Sequence, residues 1–310
     1  MPSTTAKRPS PRKARAVKQW FSARTADPHH LYELAVQAPD AECDFIDATY
    51  RKRVGRLPAT LREDFCASHA VCREWVSRRR TNRACGIDLD QYVLDWGRAR
   101  QQSTLTPEQR ARIMLERADV LTARRAPVDV TVAMNFSYCV FKTRELMLRY
   151  LKAAFKGVRR GGMFACDAYG GSEAHSEVEE ERHLDGFTYV WDQNQYNPIT
   201  GDVVNHIHFR FPDGSEMKRA FTYRWRLWSL PEIQDAMREA GFARTTVYWE
   251  GTIHRTGEGN GVFSPSTRGE ACAGWIAYIV AEKSMAEKGA GAKSKRSKGA
   301  RRKAARAAKR

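Results

Sequence analysis

From Val128 to Ala168 the chain passes through an apolar β-branched segment, an amphipathic helix and a second apolar segment, and few folds can house that order. Val128–Asn135 is a run of the kind that is buried on both faces. Glu145–Val158 places Leu146, Leu148, Leu151 and Phe155 on one helical stripe and is stopped by Arg160-Gly161-Gly162. Met163–Ala168 then reads as another buried strand. The same rhythm runs upstream. Leu61–Cys66 and Cys85–Leu89 read as strands, Ala70–Arg79 and Tyr92–Arg100 as helices, and Ile113–Val120 as a third strand with its lead-in. Thr106-Pro107-Glu108 has the cap and first-turn proline of a helix start. The pattern predicts an α/β fold with a parallel sheet covered on both faces.

Two helices, Leu31–Ala38 and Ala41–Lys52, are expected before this region. After Gly171 the texture changes. Phe187–Asp192, Asn205–Phe211 and Met217–Trp225 alternate, with turns at Pro198–Gly201 and Pro212-Asp213-Gly214, and predict antiparallel strands. Ser229-Leu230-Pro231-Glu232 caps a helix that runs to Ala240 and stops at Gly241. Thr245–Trp249 and Trp275–Glu282 read as closing strands.

Charge separates the body from its ends. Residues 1–18 hold six basic side chains and no acid, and residues 283–310 hold twelve against Glu287, so the ends carry the whole net charge of +17. A neutral body of about 260 residues is enough for one large domain. The expected division is a basic disordered arm at 1–25, a domain at 26–282 with a β-rich insert at about 171–228, and a basic disordered tail at 283–310. The tail fits polyanions, so non-specific nucleic acid is an expected partner; a solubility tail is the alternative. Pro2, Pro9 and Pro11 spoil a transit helix. The apolar run Ala273–Ala281 falls short of the roughly 20 residues a bilayer needs, so no membrane partner is expected. Seven cysteines with no CxxC pair and no zinc-like Cys/His spacing imply a reducing, cytoplasmic setting and no metal. The tails would hold such a protein at the nucleoid or the ribosome.

The stretch Leu61–Ala70 followed by Cys85-Gly86-Ile87-Asp88-Leu89-Asp90 carries the chemistry. A strand, a tight turn, a helix and an acid at the tip of the next strand form the nucleoside site of doubly wound sheets. Asp88, 19 residues after His69, is placed to accept ribose hydroxyls. On this pattern alone a nicotinamide cofactor remains a rival.

Here the sequence resembles the class I S-adenosylmethionine-dependent methyltransferases, over about Leu61–Glu282. Their first motif reads roughly acid-x-Gly-x-Gly-x-Gly; Glu63 takes the acidic place, and Phe65, Ala67 and His69 take the glycine places, with Cys66 retained. Gly86–Asp90 matches the second motif, Ala118-Asp119-Val120 the adenine segment, Asp129–Phe136 the fourth strand and Gly161–Asp167 the fifth motif. Leu227–Phe242 resembles the segment before the sixth strand. Leu-Arg-Glu-Asp-Phe-Cys, Asn-Phe-Ser-Tyr and Phe-Thr-Tyr-x-Trp-Arg-Leu-Trp segments further resemble an uncharacterised bacterial branch of that family.

The resemblance implies a doubly wound, mostly parallel, seven-stranded Rossmann-like sheet with an antiparallel insert after the fifth strand. It implies S-adenosylmethionine as cofactor and a methyl acceptor, small or macromolecular, reacting through O, N or C. Cofactor-binding residues would be Glu63, Asp64, Cys66, Ala67, Ser68, Asp88, Leu89, Asp119, Val120, Asn135 and Phe136. Asn135 and Tyr138 are the catalytic candidates, from the likeness of Asn135-Phe136-Ser137-Tyr138 to the Asn-Pro-Pro-Tyr loop of amino-group methyltransferases. The departure is the absence of glycine from all three glycine places, where positive φ is normally needed. A degenerate fold that acts through its basic tails as a nucleic-acid-binding protein is the alternative. His206 and His208 share one face of a strand; an exposed face is the expectation and a metal pair the rival. Tyr189, Trp191, Tyr196, Tyr223, Trp225 and Trp228 line a substrate pocket or form a packed cover.

Overall fold

The computed structural model describes residues 21–253, 255 and 259–285. The expected basic arm and tail fall largely outside these residues. Helices α1 (Pro28–Ala35) and α2 (Pro39–Val54) come first. An alternating series follows: β1 (Thr60–Asp64), α3 (Ala70–Arg78), β2 (Arg83–Asp88), α4 (Gln91–Thr104), α5 (Pro107–Arg110), β3 (Ile113–Arg117), β4 (Val128–Ala133), α6 (Arg144–Gly157) and β5 (Val158–Gly170). Next come β6 (Val178–Leu184), β7 (Phe187–Asn197), β8 (Asp202–Arg210) and β9 (Glu216–Arg226). The chain closes with α7 (Leu230–Ala240), β10 (Arg244–Thr252), β11 (Gly259–Ser266) and β12 (Trp275–Glu282).

The main sheet has the order β11-β10-β12-β5-β4-β1-β2-β3, and β6-β7-β8-β9 form a separate antiparallel sheet. Strands β1 to β5 are parallel to one another, while β12 runs antiparallel to β5 and β10 antiparallel to β12. The sheet is therefore mixed, mostly parallel and doubly wound, with an antiparallel insert after β5, as expected. The seven-strand expectation needs correction to eight. Strand β11 adds to β10 at the edge, pairing Val247 with Ser266 and Glu250 with Phe263.

Two cores cover the faces of the main sheet. One buries Tyr150, Leu151 and Ala154 of α6 with Ile233 and Met237 of α7. The other buries Cys43, Ile46 and Tyr50 of α2 with Val71, Cys72 and Trp75 of α3. A third core ties α1 to the insert through Leu31, Phe187, Ile207 and Phe209, and the Phe21 ring meets Phe187 edge-on at 5.8 Å. Caps set several boundaries. Thr106 with Gln109 and Ser229 with Glu232 form reciprocal capping boxes, and Gly241 (φ 117°) ends α7. At the far end of the fold, Lys283 Nζ donates to the Phe155 and Val158 carbonyls at 2.8 and 2.7 Å. Among the described residues no helix is long and apolar enough to cross a membrane.

Candidate functional site

Strand order reverses between β1 and β4, and ligands of open α/β sheets lie outside the carboxyl ends of the strands at such a point. The backbone there is unusual. Of the six non-glycine residues with positive φ among the described residues, five lie at these two strand ends. They are Phe65 (56°), Ala67 (44°) and His69 (51°) after β1, and Asn135 (56°) and Phe136 (57°) after β4. Each left-handed L-residue costs about 1–2 kcal/mol, and persists only where its surroundings enforce it.

The enforcing contacts after β1 are specific. Cys66 N–H donates to the Ile87 carbonyl at 3.0 Å, and His69 N–H to the Cys66 carbonyl at 2.6 Å. Ala67 N–H donates to Asp88 Oδ2 at 2.8 Å. The His69 ring is wholly buried against α4, where a Cβ on Gly97 would come within 2.6 Å of it. Burial lowers this imidazole to about 3, so it is neutral. The Phe65 ring packs on Phe141 and Tyr150, with centroids 5.9 and 5.4 Å away. Both bulky replacements of glycine thus have packing partners of their own.

After β4, the Asp167 carboxylate accepts the Asn135 and Phe136 N–H groups at 2.8 and 2.9 Å. Burial raises this acid to about 7 despite those bonds. Tyr138 donates its hydroxyl to the Asp167 carbonyl at 2.7 Å and is buried. Its hydroxyl therefore braces the turn.

The other sequence candidates divide between the strand tips and the interior. Asp88 accepts Asp90 N–H as well, at 2.9 Å, and its carbonyl receives Ala118 N–H at 2.9 Å, which ties the segment before Asp119 to the tip of β2. Asp119 caps its own turn by accepting Leu121 N–H at 2.8 Å, Val120 is buried and Leu89 is exposed. Ser68 Oγ donates to Glu33 of α1 at 2.9 Å, so α1 lies across the turn. Glu63 accepts Cys72 N–H at 2.9 Å, and burial pushes it to about 7. Asp64 points to the opposite side of β1, where it accepts Arg62 Nε at 2.6 Å and the Tyr150 hydroxyl at 3.1 Å. Strand alternation makes it impossible for both acids to face one ligand. Asp64 serves the core. The Cys66 thiol is buried, and its Sγ would lie 2.8 Å from a Cβ on Gly86.

Beside Asn135 and Phe136 opens a cavity of about 550 Å³ between the main sheet, α1, α2 and the insert. Tyr32, Tyr189, Trp191, Tyr223, Trp225 and Trp275 contribute to its wall, with Glu42, Asp167 and Glu250. The expected aromatic set splits: Tyr189, Trp191, Tyr223 and Trp225 line this cavity, while Tyr196 and Trp228 line a neighbouring one. Tyr32 meets Phe221 at 5.1 Å, and His29 meets Trp96 and Phe221 at 5.6 and 5.5 Å, so α1 bridges α4 and the insert. His206 and His208 are not on an exposed face; they are buried and bonded to Thr222 and Asp192.

Asp167, Glu42 and Tyr32 escaped the sequence reading as site residues. Asp167 closed a recognised motif without a role. Glu42 had a readable signal, because it sits four residues before Ile46 on the buried stripe of α2.

No protein-family model and no curated protein matches the chain. Solved structures do match. An S-adenosylmethionine-dependent methyltransferase from Clostridium acetobutylicum superposes with a TM-score of 0.61 at 14% identity, covering 83% of this chain and 97% of that one. DesVI from Streptomyces venezuelae gives 0.60 at 16%, over 84% and 99%. CalS10 from Micromonospora echinaspora, an amino pentose methyltransferase solved with bound S-adenosylmethionine, gives 0.60 at 15%, over 87% and 100%. The chain has the class I S-adenosylmethionine-dependent methyltransferase fold.

Proposed function

We propose that this protein transfers a methyl group from S-adenosylmethionine to an acceptor held in the cavity beside Asn135 and Phe136. One observation carries the reading. Phe65, Ala67 and His69, which stand at the three glycine places of the resembled first motif, all adopt positive φ. The chain keeps the backbone course that glycine normally permits, at a conformational cost that its hydrogen bonds and ring packing offset.

The residues present fit the cofactor. Asp88 spends its two oxygens on the Ala67 and Asp90 amides, yet a carboxylate offers about four lone-pair positions, so acceptors remain for ribose hydroxyls. Asp119 and Val120 would adjoin the adenine. The Cys66–Ser68 turn and Leu89 would frame the sugar and the methionine end, with Asn135 and Phe136 on the opposite side. Glu63 holds the start of α3 and so supports the turn from beneath. When bound, S-adenosylmethionine would supply a methyl group activated by its positively charged sulfur.

The chain's own part is placement and exclusion of water. Asp167 fixes the Asn135–Phe136 turn, which sets one edge of the cavity. Helix α1 and the insert roof it, joined through Tyr32 and Phe221. Isothermal titration with S-adenosylhomocysteine tests the reading. Saturable one-to-one binding to the folded protein supports it, and absence of heat from folded protein counts against it.

A further inference from the structure

The acceptor cavity is acidic in a way that its own contacts leave unexplained. Glu42 lines it and is 6% exposed, and among the described residues its carboxylate has neither a hydrogen-bond partner nor an ion-pair partner. Buried carboxylates are ordinarily paired, because desolvating an unpaired charge is costly. Asp167 and Glu63 make the position worse, since both repel a charge on Glu42. The remaining acids on the wall are Glu173, Glu180 and Glu250. Against these stands one basic side chain among the described lining residues, Arg182. It is exposed and stacks over the Tyr189 ring at 5.2 Å. The rest of the wall is largely aromatic. Carboxyl groups that can ionise against a cation, and π faces, without a buried cation are complementary to an ammonium group.

We propose that the acceptor is an amine, received as its ammonium by Glu42 and Asp167 under the aromatic wall. This deepens the methyltransferase reading and rests on it. The proton balance is simple. The N–H bond breaks as an O–H bond forms on Glu42, leaving a neutral carboxylic acid and an amine with a free lone pair. That lone pair takes the methyl, and the nitrogen regains the positive charge that the donor's sulfur loses. Burial pushes Glu42 up to about 8 and Asp167 to about 7, closer to an alkylammonium than ordinary carboxylates are, which eases the transfer.

The charge state follows. A charge on Glu42 is repelled by Asp167 of β5, Glu63 of β1 and the exposed Asp40 on its own helix, and Glu42 itself pushes up the phenols of Tyr32 and Tyr278. The described wall residues bring no buried cation, so Glu42 without a ligand is protonated near neutrality. An ammonium must displace that proton, and ammonium affinity therefore rises between pH 6 and pH 8.

The test uses the full chain with benzylamine, benzyltrimethylammonium and benzyl alcohol as probes, titrated with and without saturating S-adenosylhomocysteine. Both cations are expected to bind at least tenfold more tightly than the neutral alcohol. Glu42→Gln, checked for folding by circular dichroism, is expected to remove that preference while leaving S-adenosylhomocysteine affinity within twofold. Equal binding of amine and alcohol to the wild-type protein overturns the proposal without needing the variant; with S-adenosylhomocysteine still bound, it leaves the methyltransferase reading standing. Cation preference without S-adenosylhomocysteine binding supports the ammonium site and removes the methyltransferase reading. A Glu42→Gln protein that loses S-adenosylhomocysteine but keeps the amine preference assigns Glu42 to the cofactor's own amino group and overturns the acceptor assignment.

Discussion

Asp88 Oδ2 accepts the backbone N–H of Ala67 at 2.8 Å, so the carboxylate at the tip of β2 holds the turn after β1 in its left-handed course. The same side chain is the proposed ribose anchor. Asp88→Ala removes both roles. Titration should show S-adenosylhomocysteine binding at least tenfold weaker, about 1.4 kcal/mol. An unchanged affinity would place the ribose elsewhere.

The left-handed turn predicts an opposite pair of effects at Ala67. Ala67→Gly relieves the strain at φ 44° but adds freedom to the unfolded chain, for a net gain of roughly 0.5–1 kcal/mol. Ala67→Val puts a β-branched residue where φ is positive and should lose roughly 1–2 kcal/mol. Urea denaturation midpoints check both, and a loss from the glycine variant would contradict the strain assignment.

Asp64 is predicted to matter for stability. Arg62 is 2% exposed and Asp64 1%, and the two form an ion pair at 2.6 Å. Asp64→Ala strands a buried guanidinium and should cost about 3–5 kcal/mol. If the variant keeps its denaturation midpoint and loses only cofactor affinity, Asp64 faces the ligand and the inward placement is wrong.

The buried acids make stability fall as pH rises. Glu42 stands near 8 in the fold, Glu63 and Asp167 near 7, all above their ordinary values of 4.5, 4.5 and 3.8. Above those ordinary values the unfolded chain releases protons that the folded chain retains, so the native state loses ground from about pH 4 until the raised values are passed. Melting temperatures should therefore decline from pH 5 to pH 8. Glu42→Gln should flatten the decline and be more stable at pH 8 by roughly 2–4 kcal/mol. A flat wild-type profile would mean that these carboxylates are ionised and partnered.

The sequence carried those parts of the fold that local chemistry specifies. The Ser229–Glu232 box and the Gly241 stop delimit α7 at the residues expected. Strand β6 (Val178–Leu184) was not legible, since Glu179, Glu180, Glu181 and Arg182 lack an apolar stripe, and pairing with β7 alone makes it a strand. Strand β11 was hidden for a similar reason, with two glycines and Pro265 on an edge. Helix α6 (Arg144–Gly157) lies within one residue of the expected Glu145–Val158, but β5 begins at once with Val158 paired to Val128, so Gly161-Gly162 falls inside the strand. At the site, the strand-tip residue Asp88 could be read from motif spacing, and Ala67 and Asn135 from the family resemblance. The cavity could not, because α1, α2, β5 and the insert meet there from distant parts of the chain. Asp167 shows the difference: its motif was visible, while its grip on two left-handed residues exists only in three dimensions.

The proposed activity requires that a turn without glycine still cradles an adenosyl sulfonium beside Asp88. A crystal structure of the full chain grown with S-adenosylhomocysteine measures this most directly. Ligand density is expected with ribose hydroxyls within hydrogen-bonding distance of Asp88 and adenine beside Asp119 and Val120. Density for the Phe65 or His69 ring in that place, with the ligand absent or bound elsewhere, would contradict it.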